Sequence, residues 1–538
     1  MQTESSSLNS ILLSVLSGAV LSVAFLDYEA SLLAWVGLVP MLFALRNKSV
    51  IKSFGLGFVA GLVLFACGKY WLVEFVELSK GLFGWRGWIL AGLYWTYCAF
   101  LVAIVASLYR WLNLKTRLAP VLLLPAVYTA VSSLYPMIFH LRFSETQVLN
   151  LVTIQGVDLF GPAGLDALIV SVNAAIFILL SIISKKAPCT VSSVSSILLI
   201  LGLVIGWFGY GSHRLASMES LNSEKETVKI GLVQPNEIPS LNEIVGKDGF
   251  SLSYPAEMAL TEQLAANGAD YVVWPEGRRK HYLDNLRVRN AFVSQINDMN
   301  IGLIFQDTEL VRDPKSGKVI GQFNSALMLD GRSDSHQRYD KMKLIPFRET
   351  IPLIGDSGYL RPLFEGFIGR FLNELDRGQR EVYFQHENLN FIPLICYETT
   401  FPKFVASRVE SAIDNESELS RGTIIIGLSN DGWFGSNHQP YQHIYGSVLR
   451  AVENRLPLVH VANNGPSLVV GASGEVLFSS SNSNAGGYLL DVEIGDSSIS
   501  SAFRTFPNAL IYGFYLFLLI VSLRVWLAHL KRGTKQPD

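Results

Sequence analysis

Long apolar runs fill the first 210 residues, whereas short β-branched and aliphatic runs, separated by turn and helix signals, fill residues 228–495. A bilayer span needs about 20 mostly apolar residues. Segments 54–72, 87–108, 118–139, 162–183 and 508–530 meet that length, and the shorter or more polar 8–26, 31–45 and 194–210 bring the expected spans to eight. Gly57 and Gly61 in the third have the spacing of a close helix contact and carry no chemistry. In the second half, 228–234, 271–274, 302–306, 391–395, 423–428 and 458–462 read as buried strands. Residues 324–329 and 337–343, around a turn at Asp330-Gly331, read as a hairpin. Helical stretches at 256–266 and 290–299 alternate with strands, which predicts an α/β sandwich of two sheets with helices outside.

Charge gives the spans a direction. Arg46, Lys48 and Lys52; Arg110, Lys115 and Arg117; Lys185 and Lys186; and Lys531, Arg532 and Lys535 all fall on one side of an eight-span count. The positive-inside rule makes that side the cytoplasm. Both termini are then cytoplasmic, and residues 211–507 lie outside. The leader before the first span has Glu4 and no basic residue, so that span reads as retained rather than as a cleaved signal. The expected organisation is a membrane domain at 1–210 with about seven spans, an outward domain at 228–495, and a last span at 508–530, joined through polar linkers at 213–226 and 495–501.

Composition narrows the chemistry. The 538 residues are 50% hydrophobic and only 16% charged, with a net charge of −2, so no basic field invites a nucleic acid. Cys67, Cys98 and Cys189 sit in or beside apolar segments, leaving Cys396 alone in the outward domain. It has no disulfide partner there, and no Cys/His pair has metal-ligand spacing. No metal or dissociable cofactor is expected, and a monomer is the default.

Three reactive side chains stand where buried strands end. Glu276 follows Tyr271-Val272-Val273-Trp274-Pro275, Lys341 closes Tyr339-Asp340-Lys341, and Cys396 follows Phe391-Ile392-Pro393-Leu394-Ile395. Each alone is an ordinary solvated or core residue. Together, in this order and sheet context, they resemble the nitrilase superfamily over about 228–492, whose triad is Glu, Lys and Cys. With the membrane segments added, the chain resembles the apolipoprotein N-acyltransferase family: a polytopic helical membrane domain plus a nitrilase-like αββα domain.

The resemblance implies Glu276 as general base, Lys341 as catalytic lysine and Cys396 as acylated nucleophile. It implies supporting roles for Glu349, Tyr397 and Glu398. Residues 429–435 and 462–465 also resemble family motifs and offer Asn430, Trp433 and Asn464 as substrate contacts; simple turn chemistry explains their Asn, Asp and Gly content equally well. Phenylalanines at offsets of three and four in 364–372, including Phe367 and Phe371, give one apolar helical face. That face is either an arm touching lipid or a short core-facing helix. Two positions depart from the family pattern: Arg348 stands where glycine precedes Glu349, and Gly277 follows Glu276.

The implied reaction is a two-step acyl transfer. A phospholipid, commonly phosphatidylethanolamine, gives a thioester on Cys396, and the α-amine of a diacylated apolipoprotein then takes the acyl chain. None of the nine histidines sits in the three motifs, which argues against a Cys/His pair. The main rival is a membrane-tethered amidase or nitrilase acting on C–N bonds with water as second nucleophile. An inactive scaffold is disfavoured because all three reacting side chains are present.

Overall fold

A computed structural model of the chain describes residues 2–221, 226–237, 249–346, 348–350, 374–414, 422–435, 438–481 and 485–533. It falls into two compact units. One comprises Met1–Val73, Trp85–Leu215 and Phe506–Asp538; the other comprises Glu74–Gly84 and Ala216–Thr505.

Seven helices among the described residues are long and apolar enough to cross a membrane: Ser7–Leu26, Tyr28–Leu45, Val50–Gly68, Trp85–Lys115, Val157–Ile183, Val191–Ser220 and Ala509–Leu530. The second is a 3-10 turn at Tyr28–Trp35 followed by a helix at Val39–Leu45 with Pro40 in its first turn. The expected span at 118–139 is shorter, a helix at Pro120–Leu134. Tyr135 leaves the helix for extended backbone because Pro136 disfavours the helical region at the residue before it. Its 15 residues rise about 22 Å, short of a hydrocarbon core of about 30 Å. Gly57 and Gly61 do pack tightly: an added Cβ would lie 2.7 Å from Ala106 Cβ and 2.9 Å from Ala99 Cα. The buried Asp158 carboxylate accepts from the Tyr210 hydroxyl at 2.9 Å and Arg214 Nε at 3.1 Å, which offsets the cost of an apolar setting.

The second unit is built on two six-stranded sheets. The first has the order β12 (Gly486–Glu493), β1 (Thr227–Gln234), β2 (Tyr271–Val273), β3 (Gly302–Arg312), β4 (Val319–Leu329) and β5 (His336–Asp340). The second runs β11 (Val476–Ser479), β10 (Leu468–Val470), β9 (Leu458–Ala462), β8 (Gly422–Ser429), β7 (Leu389–Ile395) and β6 (Phe384–His386). Central neighbours β1, β2 and β3 pair in parallel, as do β7, β8 and β9, while the outer pairs are antiparallel. Strand alternation decides which face meets which. Val228, Ile230 and Leu232 face Ile424, Ile426 and Leu428 in a core between the sheets. Val233, Val272 and Leu303 turn the other way, into a second core with the helices Ala256–Ala266 and Leu286–Met299. Helices Pro402–Asp414 and Gln439–Asn454 pack on the second sheet, giving the expected αββα layering. The expected hairpin is present as β4 and β5, but β5 stops at Asp340, so Lys341 lies just beyond it.

Candidate active site

Glu276 follows β2 by three residues, whereas Lys341 and Cys396 are the first residues after β5 and β7. Lys341 is fully buried, with its Nζ 2.8 Å from Glu349 Oε1 and 3.8 Å from Glu276 Oε1. Burial pulls its pKa down, but the Glu349 and Glu276 carboxylates and Cys396 outweigh that and hold it above the usual lysine value. It is therefore a fixed ammonium. Asn324 on β4 ties this pair together: its Nδ2 donates to Glu276 Oε1 at 2.7 Å, and its carbonyl accepts from Lys341 N–H at 2.8 Å.

Cys396 turns the chain at a φ of +50°, a left-handed conformation that a non-glycine residue keeps only when its surroundings enforce it. Burial pushes its thiol well up, the Glu276 carboxylate adds to that, and the Lys341 ammonium opposes it. The resting sulfur is thus a protonated thiol that needs a base, and Glu276 and Lys341 are the charges that act on it.

Two buried groups hold the turn. Glu398 is the first. Its Oε1 accepts from the Tyr339 hydroxyl at 2.7 Å, Met342 N–H at 2.8 Å and Lys343 N–H at 3.0 Å, while Oε2 accepts from Ile395 N–H at 2.8 Å. One carboxylate therefore ties the backbone just after Lys341 to the backbone just before Cys396. The second is His443, on the helix Gln439–Asn454. Its Nε2 lies 3.2 Å from the Cys396 carbonyl, and its Nδ1 lies 2.8 Å from Asp431 Oδ1. Asp431 only accepts, so Nδ1 donates, whereas Nε2 also lies 3.0 Å from the Thr399 hydroxyl, which can donate or accept; the Asp431 carboxylate favours a positive charge on the ring. Burial opposes that charge, but Asp431 and the hydrogen bonds raise its pKa above the usual value.

His460 stands behind this pair, 2.9 Å from Ser447 Oγ through Nδ1 and 2.9 Å from Ser429 Oγ through Nε2. Burial and the His443 charge lower its pKa to about 3, so it is neutral. Asp431, His443 and His460 present ligand-type atoms within 4.8 Å of one another. Every ring nitrogen is already hydrogen-bonded to protein, so they form a polar network rather than a ligand set.

The remaining expected site residues divide. Tyr397 follows the nucleophile and packs edge-on against Phe401 at 4.8 Å. Trp433 is half-buried, with the Arg348 guanidinium carbon 4.1 Å from its ring centroid. Asn430 accepts from Asn463 Nδ2 at 3.1 Å, which is turn architecture. Asn464 is half-buried and makes no side-chain hydrogen bond among the described residues. Phe367 and Phe371, with the proposed arm, lie outside the described residues. The two departures are both accommodated: a Cβ on Gly277 would meet nothing within 4 Å, and Arg348 is absent from the positive-φ residues. Sequence reasoning missed Asn324, Asp431 and His443 as site residues. The place of Asp431 within the segment 429–435 was the one available signal.

Residues 17–175 match the apolipoprotein N-acyltransferase N-terminal domain, and residues 254–502 match the carbon-nitrogen hydrolase family. The apolipoprotein N-acyltransferase of Geobacter metallireducens is 28% identical over 489 residues, covering 86% of each chain. Those of Rickettsia prowazekii (28% identical, 87% of this chain and 88% of that one) and Haemophilus influenzae (26%, 87% and 85%) are similarly related. Among solved structures, an amidase from Nesterenkonia sp. aligns over 54% of this chain and 97% of its own, with 14% identity and a TM-score of 0.36. Saccharomyces cerevisiae Nit3, of the nitrilase superfamily, aligns over 53% and 96%, with 16% identity and a TM-score of 0.36.

Proposed function

Because this chain belongs to the apolipoprotein N-acyltransferase family, we propose that it moves a fatty acyl chain from a membrane phospholipid to the N-terminal α-amine of a diacylglyceryl-cysteine lipoprotein. The observation that carries the reading is the buried Lys341 ammonium, flanked by Glu349 and Glu276 and acting electrostatically on a strained, buried Cys396.

In the first half-reaction Glu276 takes the Cys396 proton, and Sγ attacks the ester carbonyl carbon of the donor. The oxyanion that forms faces the Lys341 ammonium, which stabilises it most strongly because water is excluded. The C–O bond breaks, Glu276 returns its proton to the leaving alkoxide, and a lysophospholipid departs from the thioester. In the second half-reaction Glu276 deprotonates the incoming α-amine, which attacks the thioester carbon. The C–S bond breaks, the proton passes back to sulfur, and an amide remains. Glu349 holds Lys341 in place throughout, and Glu398 and Tyr397 shape the turn that carries the sulfur. The donor of this reading is phosphatidylethanolamine. The catalytic unit lies on the outer face of a bacterial inner membrane, and both termini are cytoplasmic.

The test is intact-protein mass spectrometry of purified enzyme incubated with phosphatidylethanolamine, beside a Cys396→Ser variant. A fatty-acyl mass should appear on the wild type and be lost to the amine of a diacylated lipopeptide. Release by water alone, with no acylated peptide, would replace the transferase by a membrane-tethered C–N hydrolase.

A further inference from the structure

Arg348 is the departure from the family pattern whose side chain reaches other site residues. Its guanidinium lies over the Trp433 ring at 4.1 Å, and no carboxylate pairs with it among the described residues. Stacking occupies the flat face of a guanidinium and leaves its N–H edge available for a planar, bidentate contact with an anion. A second cation stands beside it. Burial lowers the Lys80 pKa to about 8, and the Arg348 charge contributes to the same shift, so the two positive groups share one neighbourhood. Lys80 is brought there by its own helix. Phe75, five residues earlier, stacks on Phe434 with ring centroids 4.7 Å apart and planes within 14°. Phe434 directly follows Trp433, so the helix carrying Lys80 and the stack carrying Arg348 rest on the same short turn, Asp431–Phe434.

The place is as informative as the charge. Arg348 immediately precedes Glu349, whose carboxylate holds the Lys341 ammonium at 2.8 Å. Arg348, stacked on an aromatic ring, with a second cation in its neighbourhood and no carboxylate partner among the described residues, forms a site for an anion next to the proposed reacting centre. We propose that Arg348, stacked on Trp433 and assisted by Lys80, binds the phosphodiester of the acyl donor. This rests on the acyl-transfer reading above and adds to it a way of telling the two substrates apart. A glycerophospholipid carries a phosphate a few bonds from the ester that Cys396 attacks. The lipoprotein acceptor carries its glycerol on a thioether and has no phosphate there. The subsite therefore acts in loading and not in the transfer that follows.

The experiment compares two donors of one fatty acid: phosphatidylethanolamine, and a p-nitrophenyl ester that acylates thiols and carries no phosphate. Thioester formation on Cys396 is followed by intact mass for the full-length wild type, Arg348→Gly and Arg348→Lys. Arg348→Gly should raise KM for the phospholipid by about tenfold or more, the effect of losing a charge-assisted contact, with little change in the limiting rate. Arg348→Lys should recover part of that loss. The phosphate-free ester should load wild type and Arg348→Gly at matching KM, which also reports an intact catalytic centre. Equal KM changes for both donors, or none for the phospholipid, would overturn the phosphate subsite while leaving acyl transfer standing. Absence of loading by either donor in the wild type would overturn both.

Discussion

Replacing Glu398 by glutamine keeps the size of the side chain and removes one acceptor. In the native site Oε1 takes three donors and Oε2 takes one, Ile395 N–H at 2.8 Å. A glutamine can keep its oxygen on the three donors, but its NH2 then faces the Ile395 N–H. Two buried donors are left opposed, at about 1–3 kcal/mol for each unsatisfied group. The three surviving bonds also lose their charge assistance. A destabilisation on the order of 3 kcal/mol follows, so the thermal midpoint should fall by several degrees. The catalytic cost is separate. Met342 and Lys343 directly follow Lys341, and Ile395 directly precedes Cys396, so slack in this carboxylate becomes misalignment of ammonium and sulfur. Misplacement of about 1 Å costs on the order of 100-fold in rate. The assay is thioester loading on Cys396 at saturating donor, at a temperature where circular dichroism shows the variant fully folded. The expected result is a loading rate down about 100-fold with KM nearly unchanged. If the midpoint falls while the rate per folded molecule stays within a few-fold of wild type, Glu398 supports the fold and does not align the site.

Lys341→Met should lower loading by about 1,000-fold or more, because it removes the charge facing the oxyanion and leaves Glu276 and Glu349 as neighbouring carboxylates without the ammonium between them; loading within tenfold of wild type would remove Lys341 from the mechanism. His443→Gln should cut the loading rate by about tenfold at unchanged KM, since it releases the Cys396 carbonyl and leaves Asp431 without its imidazole partner. A normal loading rate in that variant would show that the turn at Cys396 is held without it. The two histidines also give opposite pH signatures in stability. His443, raised in the folded state, stabilises fully below about pH 6.5 and loses that contribution as pH rises through its folded pKa. His460, lowered to about 3, stays neutral while the unfolded chain takes up a proton, so stability falls below about pH 6.5 by up to about 1.4 kcal/mol per pH unit. His460→Gln should flatten the acid slope of the thermal midpoint; an unchanged slope would assign it to other groups.

The central strands were legible because a buried parallel strand is a short continuous apolar run, and β1, β2, β7, β8 and β9 all fall on such runs. Edges were not. The far half of the β3–β4 hairpin, with Thr308, Glu309, Gln322 and Asn324, is held by register rather than by an apolar face. β12 pairs with β1 across most of the domain's length in sequence, and its side chains are only partly covered. Length alone overstated the fifth span, because Pro136 ends the helix inside the apolar run.

The same distinction separates the proposed reacting residues from those that hold them. Glu276, Lys341 and Cys396 each interrupt a local pattern, a polar group at the end of an apolar strand, and that signal is contained within a few residues. His443 interrupts nothing. It sits on the inner face of an amphipathic helix, where one buried histidine reads as core, and its partner Cys396 lies 47 residues away in the chain but 3.2 Å away in space. Setting the histidines aside because none lay in a motif concerned only the nucleophile's base, and the His443 ring meets the Cys396 carbonyl. It said nothing about the conformation of the turn. A φ of +50° at a cysteine is invisible in the sequence, where only a glycine would announce it. The need for a group to hold that turn therefore appeared only with the backbone, and Asn324, Asp431 and His443 became legible as site residues at the same moment.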